Sequence, residues 1–155
     1  MAKVIIYTRP DGGLSVCVPV ISRDDPKDFT AEQALQRALA KDVPANAASV
    51  QVVEHTAVPS DRTFRNAWRQ TGPTVGCDMP KAVEIWQQKI REARAPILAK
   101  LDEEYLRADE VGDNAKKKQI ADKKAALRNA TEDPRIFTAK TPEELKAVWP
   151  EVLKG

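Results

Sequence analysis

Residues 79–110 read MPKAVEIWQQKIREARAPILAKLDEEYLRADE. Apolar side chains fall at Met79, Val83, Trp86, Ile90, Ala93, Ile97, Leu101, Tyr105 and Ala108, in steps of 4, 3, 4, 3, 4, 4, 4 and 3. That spacing keeps one stripe on one side of an α-helix, close to the heptad seam of a helix lying along another helix. Asp78 supplies an N-cap oxygen, and Pro80 suits the first turn. Only Pro96 interrupts the pattern. It lacks the N–H of the helical ladder, so the spacing predicts a kink or a break there. Unbroken, the segment would be a rod of about 45–50 Å at 1.5 Å per residue.

Working outward toward the C-terminus, Val111-Gly112-Asp113-Asn114 closes this helix and opens a second. Gly112 suits the left-handed residue after a helix end, and Asp113 the next N-cap. Residues 114–130 are expected to be helical, with Ile120, Ala121 and Leu127 inward and a lysine row outward. So tight a turn makes the two helices antiparallel. Thr141-Pro142-Glu143-Glu144 has capping-box spacing with proline at the first helical position, and starts a short helix carrying Leu145, Val148, Trp149 and Val152. Pro150 is expected to cut or bend it.

Toward the N-terminus the pattern changes. Residues 3–8, KVIIYT, are β-branched and aromatic; 14–21, LSVCVPVI, are apolar; Pro10-Asp11-Gly12-Gly13 between them is a turn signal, so the whole reads as a β-hairpin. Pro19 cannot donate to a ladder, which puts it at an edge or strand end. Thr30-Ala31-Glu32-Gln33 is another capping box. The helix after it shows a narrow apolar face of Ala31, Ala34, Leu35, Ala38 and Leu39. Residues 50–54 read as a third strand. The fold class is therefore α+β. A small head of β-hairpin, helix and strand covers residues 1–70, residues 71–77 are a linker, and residues 78–155 hold the helical hairpin and the C-terminal helix.

Composition bounds what such a chain does. Of its 155 residues 42% are hydrophobic and 31% charged, and the net charge is +2. Balanced charge gives no strong field toward nucleic acid or membrane. No apolar run approaches the roughly 20 residues of a membrane span. MAKVIIYT lacks the longer apolar core of a signal peptide, so none is expected. Cys17 and Cys77 lie far apart in unrelated contexts and read as free thiols. His55 is the only histidine, which rules out a cluster of several histidines around a metal. Neither cysteine has a nucleophile's setting. Asp24, Asp25 and Asp28 lack the spacing of a calcium loop. Asp102, Glu103 and Glu104 are adjacent on a helix, so they diverge and read as a solvated face. No catalytic residue, metal ligand or cofactor site is expected. Lys116, Lys117, Lys118, Lys123 and Lys124 share a helix with Asp113 and Asp122 and no stacking aromatic, which weighs against nucleic-acid binding.

Aromatics are sparse at 5%, which draws attention to DRTFRNAWRQ, residues 61–70. As a short helix it would place Phe64 and Trp68 on one face with Arg62, Arg65 and Arg69 around them. Two readings stand. Aromatics and arginines dominate interface hot spots, which makes these five residues a candidate partner-binding site. The same pattern also suits a core helix tying the head to the helical hairpin.

KVIIYT with its DGG turn, VPSDRTFRNAWR, CDMPKA, ALRNAT and TPEELKAVWP together resemble small proteins encoded near the tail-fibre genes of tailed bacteriophages, commonly described as tail-fibre assembly or tail assembly chaperone-like. The likeness spans most of the chain. It implies a non-catalytic assembly chaperone or adaptor that binds a phage tail or fibre protein, in the host cytoplasm or in the virion, and it implies no catalytic residue. Two alternatives follow from the same chain. One is a virion component that self-associates through residues 79–110. The other is an inhibitor that covers a host defence protein.

Overall fold

The computed structural model describes residues 2–154. The chain is α+β and divides into two compact units, residues 1–78 and 79–155. The first holds β1 (Lys3–Thr8), β2 (Leu14–Cys17), α1 (Ala31–Lys41), β3 (Ala48–Glu54), β4 (Trp68–Thr71) and β5 (Thr74–Cys77). The second holds α2 (Met79–Glu110), α3 (Asn114–Asn129), α4 (Pro134–Thr138) and α5 (Pro142–Lys146).

In the first unit β1 is the middle strand of an antiparallel sheet ordered β2-β1-β3. Val4, Ile5 and Ile6 are each 0% exposed, so both faces of β1 are covered. This is why KVIIYT is a continuous apolar run and not an alternating one. Val4 and Ile6 join Leu14, Val53 and Trp68 in one core; Ile5 joins Leu35 and Ala38 of α1 in the other. The hairpin turn closes as its residues dictate. Gly12 takes φ +83°, its N–H donates to the Arg9 carbonyl, and the Asp11 carboxylate accepts from the Gly13 N–H. The capping box at Thr30 is complete: Thr30 Oγ1 accepts from Gln33 N–H, and Gln33 Oε1 from Thr30 N–H.

Three readings of this unit are corrected. Residues 61–70 are not a helix, and 71–77 are not a linker. Arg65–Ala67 is a single 3₁₀ turn, and Trp68 begins β4, which pairs with β5 through a two-residue loop, Gly72-Pro73. Gly72 at φ +58° fills the first central position of that loop, where the tight hairpin turn needs positive φ. The second strand also stops earlier than its apolar run, at Cys17 instead of Ile21. Gln70 holds the small hairpin to the sheet, accepting from the Thr8 hydroxyl and donating to the Ser49 carbonyl. Ser49 stands at φ +50°, where the β1–β3 register shifts.

In the second unit α2 runs unbroken through Pro96, so a break there does not occur. Pro96 and Glu92 are both exposed, which leaves the Glu92 carbonyl, deprived of its ladder partner, on the watered side of the helix. α3 packs along the C-terminal half of α2 and closes a core of Leu101, Ala108, Ile120 and Leu127, joined by Val152 and Leu153. The N-terminal half buries Ala82, Trp86 and Ile90. The chain's C-terminal segment meets Trp86: its indole N–H donates to the Val148 carbonyl at 2.7 Å, and Trp149 packs edge-on at 5.6 Å. Ala121, read as inward, is exposed. No helix among the described residues is long and apolar enough to cross a membrane.

Candidate functional site

The five residues singled out from the sequence do not form one surface. Phe64 and Trp68 are 4% and 5% exposed, and Trp68 belongs to the core under β1. A helical Phe64–Trp68 face does not exist, so the two aromatics are not available to a partner. Arg62 and Arg65 lie exposed on the loop leading to β4. Arg69 reaches Asp78 at 2.5 Å and ties the two ends of the small hairpin together. Of the candidate contact residues, the arginines alone are presented outward.

Apolar surface is left open elsewhere in this unit, at Val50 and Val52 of β3, each 40% exposed, and more fully just after β2. Val18, Val20 and Ile21 are 52%, 66% and 51% exposed. Three large aliphatic side chains more than half exposed lie within four residues of one another, whereas Leu106, Val111 and Phe137, at 63%, 78% and 54%, are exposed singly along the chain. The backbone is held at Val20. Arg37 of α1 donates Nη2–H to the Val20 carbonyl at 2.7 Å and grips the Asp25 carboxylate through both Nη1 and Nη2, at 2.5 and 2.9 Å. The guanidinium also stacks over Phe29, 4.7 Å from the ring centroid. That grip holds the Asp25 carboxyl below the usual carboxylate range and raises Arg37, in each case chiefly through their mutual hydrogen bonds. The bidentate fork fixes direction as well as charge, so Arg37 holds the Val20 carbonyl and the Asp25 carboxylate at a set spacing. Reading LSVCVPVI as one strand hid this strip. The signal was Pro19, which cannot pair, combined with the count of residues that β1 can match.

The remaining polar features serve the fold. On α3, Lys117 pairs with Asp109 at 2.5 Å, Lys124 with Asp102, and both ammonium groups lie over Tyr105. The Asp109 hydrogen bond is the main cause that raises Lys117. The lysine row thus reaches across to α2 at two of its members instead of facing water throughout. Cys17 is half-buried on the α1 side of the sheet and Cys77 lies opposite Trp68 in β5; neither is bridged. Burial first, then Asp42, pushes the Cys17 thiol up, away from the reactive thiolate. Among the described residues no group of three His, Cys, Asp or Glu is placed to hold a metal ion. No protein-family model, curated protein or solved structure matches the chain.

Proposed function

We propose that this chain is a bacteriophage tail- or tail-fibre-associated protein, a non-catalytic assembly chaperone or adaptor acting through protein–protein contacts. It works in the host cytoplasm and stays with its partner as the tail is built. The reading rests first on the likeness of its motifs to proteins encoded beside tail-fibre genes. The observation that carries it is the clamped strip Val18–Ile21. Exposed aliphatic side chains on a backbone held at Val20 spare a partner part of the entropy of ordering them. The seam of α2 supports self-association less well, because α3 and the C-terminal segment of the same chain cover it. Co-expression with the tail and fibre proteins of its own genome tests the reading. One of them is expected to co-purify with the chain at fixed stoichiometry. Recovery of the chain alone with every one of them overturns it.

A further inference from the structure

The larger sheet ends at β3, which pairs with β1 on one side and with no strand on the other. Just past it the His55 N–H donates to the Ala2 carbonyl at 2.8 Å, toward β1. Successive residues of a strand alternate sides. Val53 and Gln51 therefore also turn their main-chain groups toward β1, and Val52 and Val50 turn theirs away from it. Among the described residues nothing bonds those outward groups of Val50 and Val52. The side chains of the same two valines lie on the face of the sheet that carries α1, because Val52 stands opposite Ile5, which packs on Leu35 and Ala38. Each is 40% exposed, so α1 leaves them partly open. Edge strands that stay single are guarded by a charged side chain, a proline or a bulge. From Ala48 to Val53 there is no ionisable residue and no proline. The register shift beside Ser49 guards one end only.

We infer that β3 pairs antiparallel with β3 of a second copy of this chain, about a two-fold axis at Gln51. The edge asks for a neutral strand with aliphatic side chains on one face and a polar one between them, and Val50-Gln51-Val52 is itself such a strand. The axis sets Val50 opposite Val52 of the second copy, and Val52 opposite its Val50. Each of these pairs exchanges both main-chain hydrogen bonds, and valine lies against valine on the α1 face. On the other face the two Gln51 amides meet at the axis, each carrying the donors and the acceptor that the other needs. No charge meets a like charge along the pairing, whereas an acidic or basic strand finds no ion there to pair with. The register is set by the same residues: moving the axis one position puts Val50 opposite Glu54, or Val52 opposite Ala48. The contact is isologous, one patch used twice. It joins the two three-stranded sheets into one and leaves β2, with the strip after it, at each outer edge. The inference stands apart from the adaptor role, which uses that strip, and it makes no use of the α2 seam.

The test is sedimentation velocity of the full-length protein at concentrations up to about 1 mM, where a monomer–dimer equilibrium with a Kd of about 0.1 mM or tighter is expected. In ¹⁵N-labelled protein the amides of Val50 and Val52 are expected to shift with concentration along the same curve. Two double variants, each checked for folding by circular dichroism, read the register. Val50→Lys/Val52→Lys sets like charges opposite one another in both pairs and is expected to weaken the dimer at least tenfold. Val50→Lys/Val52→Glu sets opposite charges there and is expected to keep the wild-type affinity within about threefold. A chain that stays monomeric at the highest concentration, shifts centred elsewhere, or equal weakening in the two variants each overturn the inference.

Discussion

Trp68 carries opposite meanings at two levels of description. In the sequence it is an aromatic among arginines, the composition of a contact site. In the fold its ring fills the core beneath Val4 and Ile6, and only the arginines face out. Residue type cannot separate these cases, because a large amphipathic residue serves either. What separates them is the backbone: a helix would have put Phe64 and Trp68 on one outer face, and a strand start at Trp68 does not. Trp68→Ala is therefore expected to lower the stability of the first unit by about 3–5 kcal/mol, the cost of emptying a large core site. Arg62→Ala and Arg65→Ala are expected to stay within about 0.5 kcal/mol. Urea titrations followed by circular dichroism check both. Asp25 gives a pH test. Its carboxyl is held below its ordinary range by Arg37, so the unfolded chain takes up its proton first as pH falls. The stabilisation is complete above the unfolded pKa of about 3.9 and disappears as pH drops through the lower folded value. The advantage of wild type over Asp25→Asn is expected to be constant from neutral pH to about 5 and to shrink below about 4. A gap that widens in acid contradicts the assignment.

Among the elements, α2 was the most legible and β4–β5 the least. A helix of 32 residues repeats its apolar step many times and carries start and stop signals at its ends, so its bounds follow from the residues. β4 and β5 have four residues each, too few for a period, and their connection is Gly-Pro, which reads equally as a linker. Only the pairing of Trp68 with Cys77 in the folded chain settles which it is. α4 was missed for the same reason, since five residues after a capping Asp133 carry little pattern. The end of β2 is a different case: its apolar run continues, but pairing stops where Pro19 would have to donate. Pro96 makes the element-level prediction. It sits on an exposed, unbroken helix, so Pro96→Ala restores a ladder bond without touching the core. A gain of about 1–3 kcal/mol in the second unit is expected from helix propensity alone. Thermal unfolding measures it, and a loss of stability would mean that the proline shapes the helix in a way its neighbours need.

At the scale of the molecule the two units have separate cores, and each is small enough that one core substitution is felt throughout it. Leu127 is 1% exposed between α2 and α3. Leu127→Ala is expected to cost the second unit about 2–5 kcal/mol while the amides of β1 keep their hydrogen-exchange protection. Loss of β1 protection would show that the units unfold as one. The architecture of α+β unit followed by helical hairpin was legible because turn and capping signals mark the first and a long apolar repeat marks the second. The candidate contact surface was not, because it depends on where a strand stops and on Arg37 reaching back from α1 to hold Val20 and Asp25. The proposed role turns on that surface. The most direct measurement is the affinity of the co-purifying tail or fibre protein for wild type, for Val20→Asp/Ile21→Asp and for Arg62→Ala/Arg65→Ala, with folding of each checked by circular dichroism. The valine–isoleucine variant is expected to lose at least tenfold in affinity while folding normally, and the arginine variant to lose less. Unchanged affinity in the valine–isoleucine variant would contradict the clamped strip as the contact.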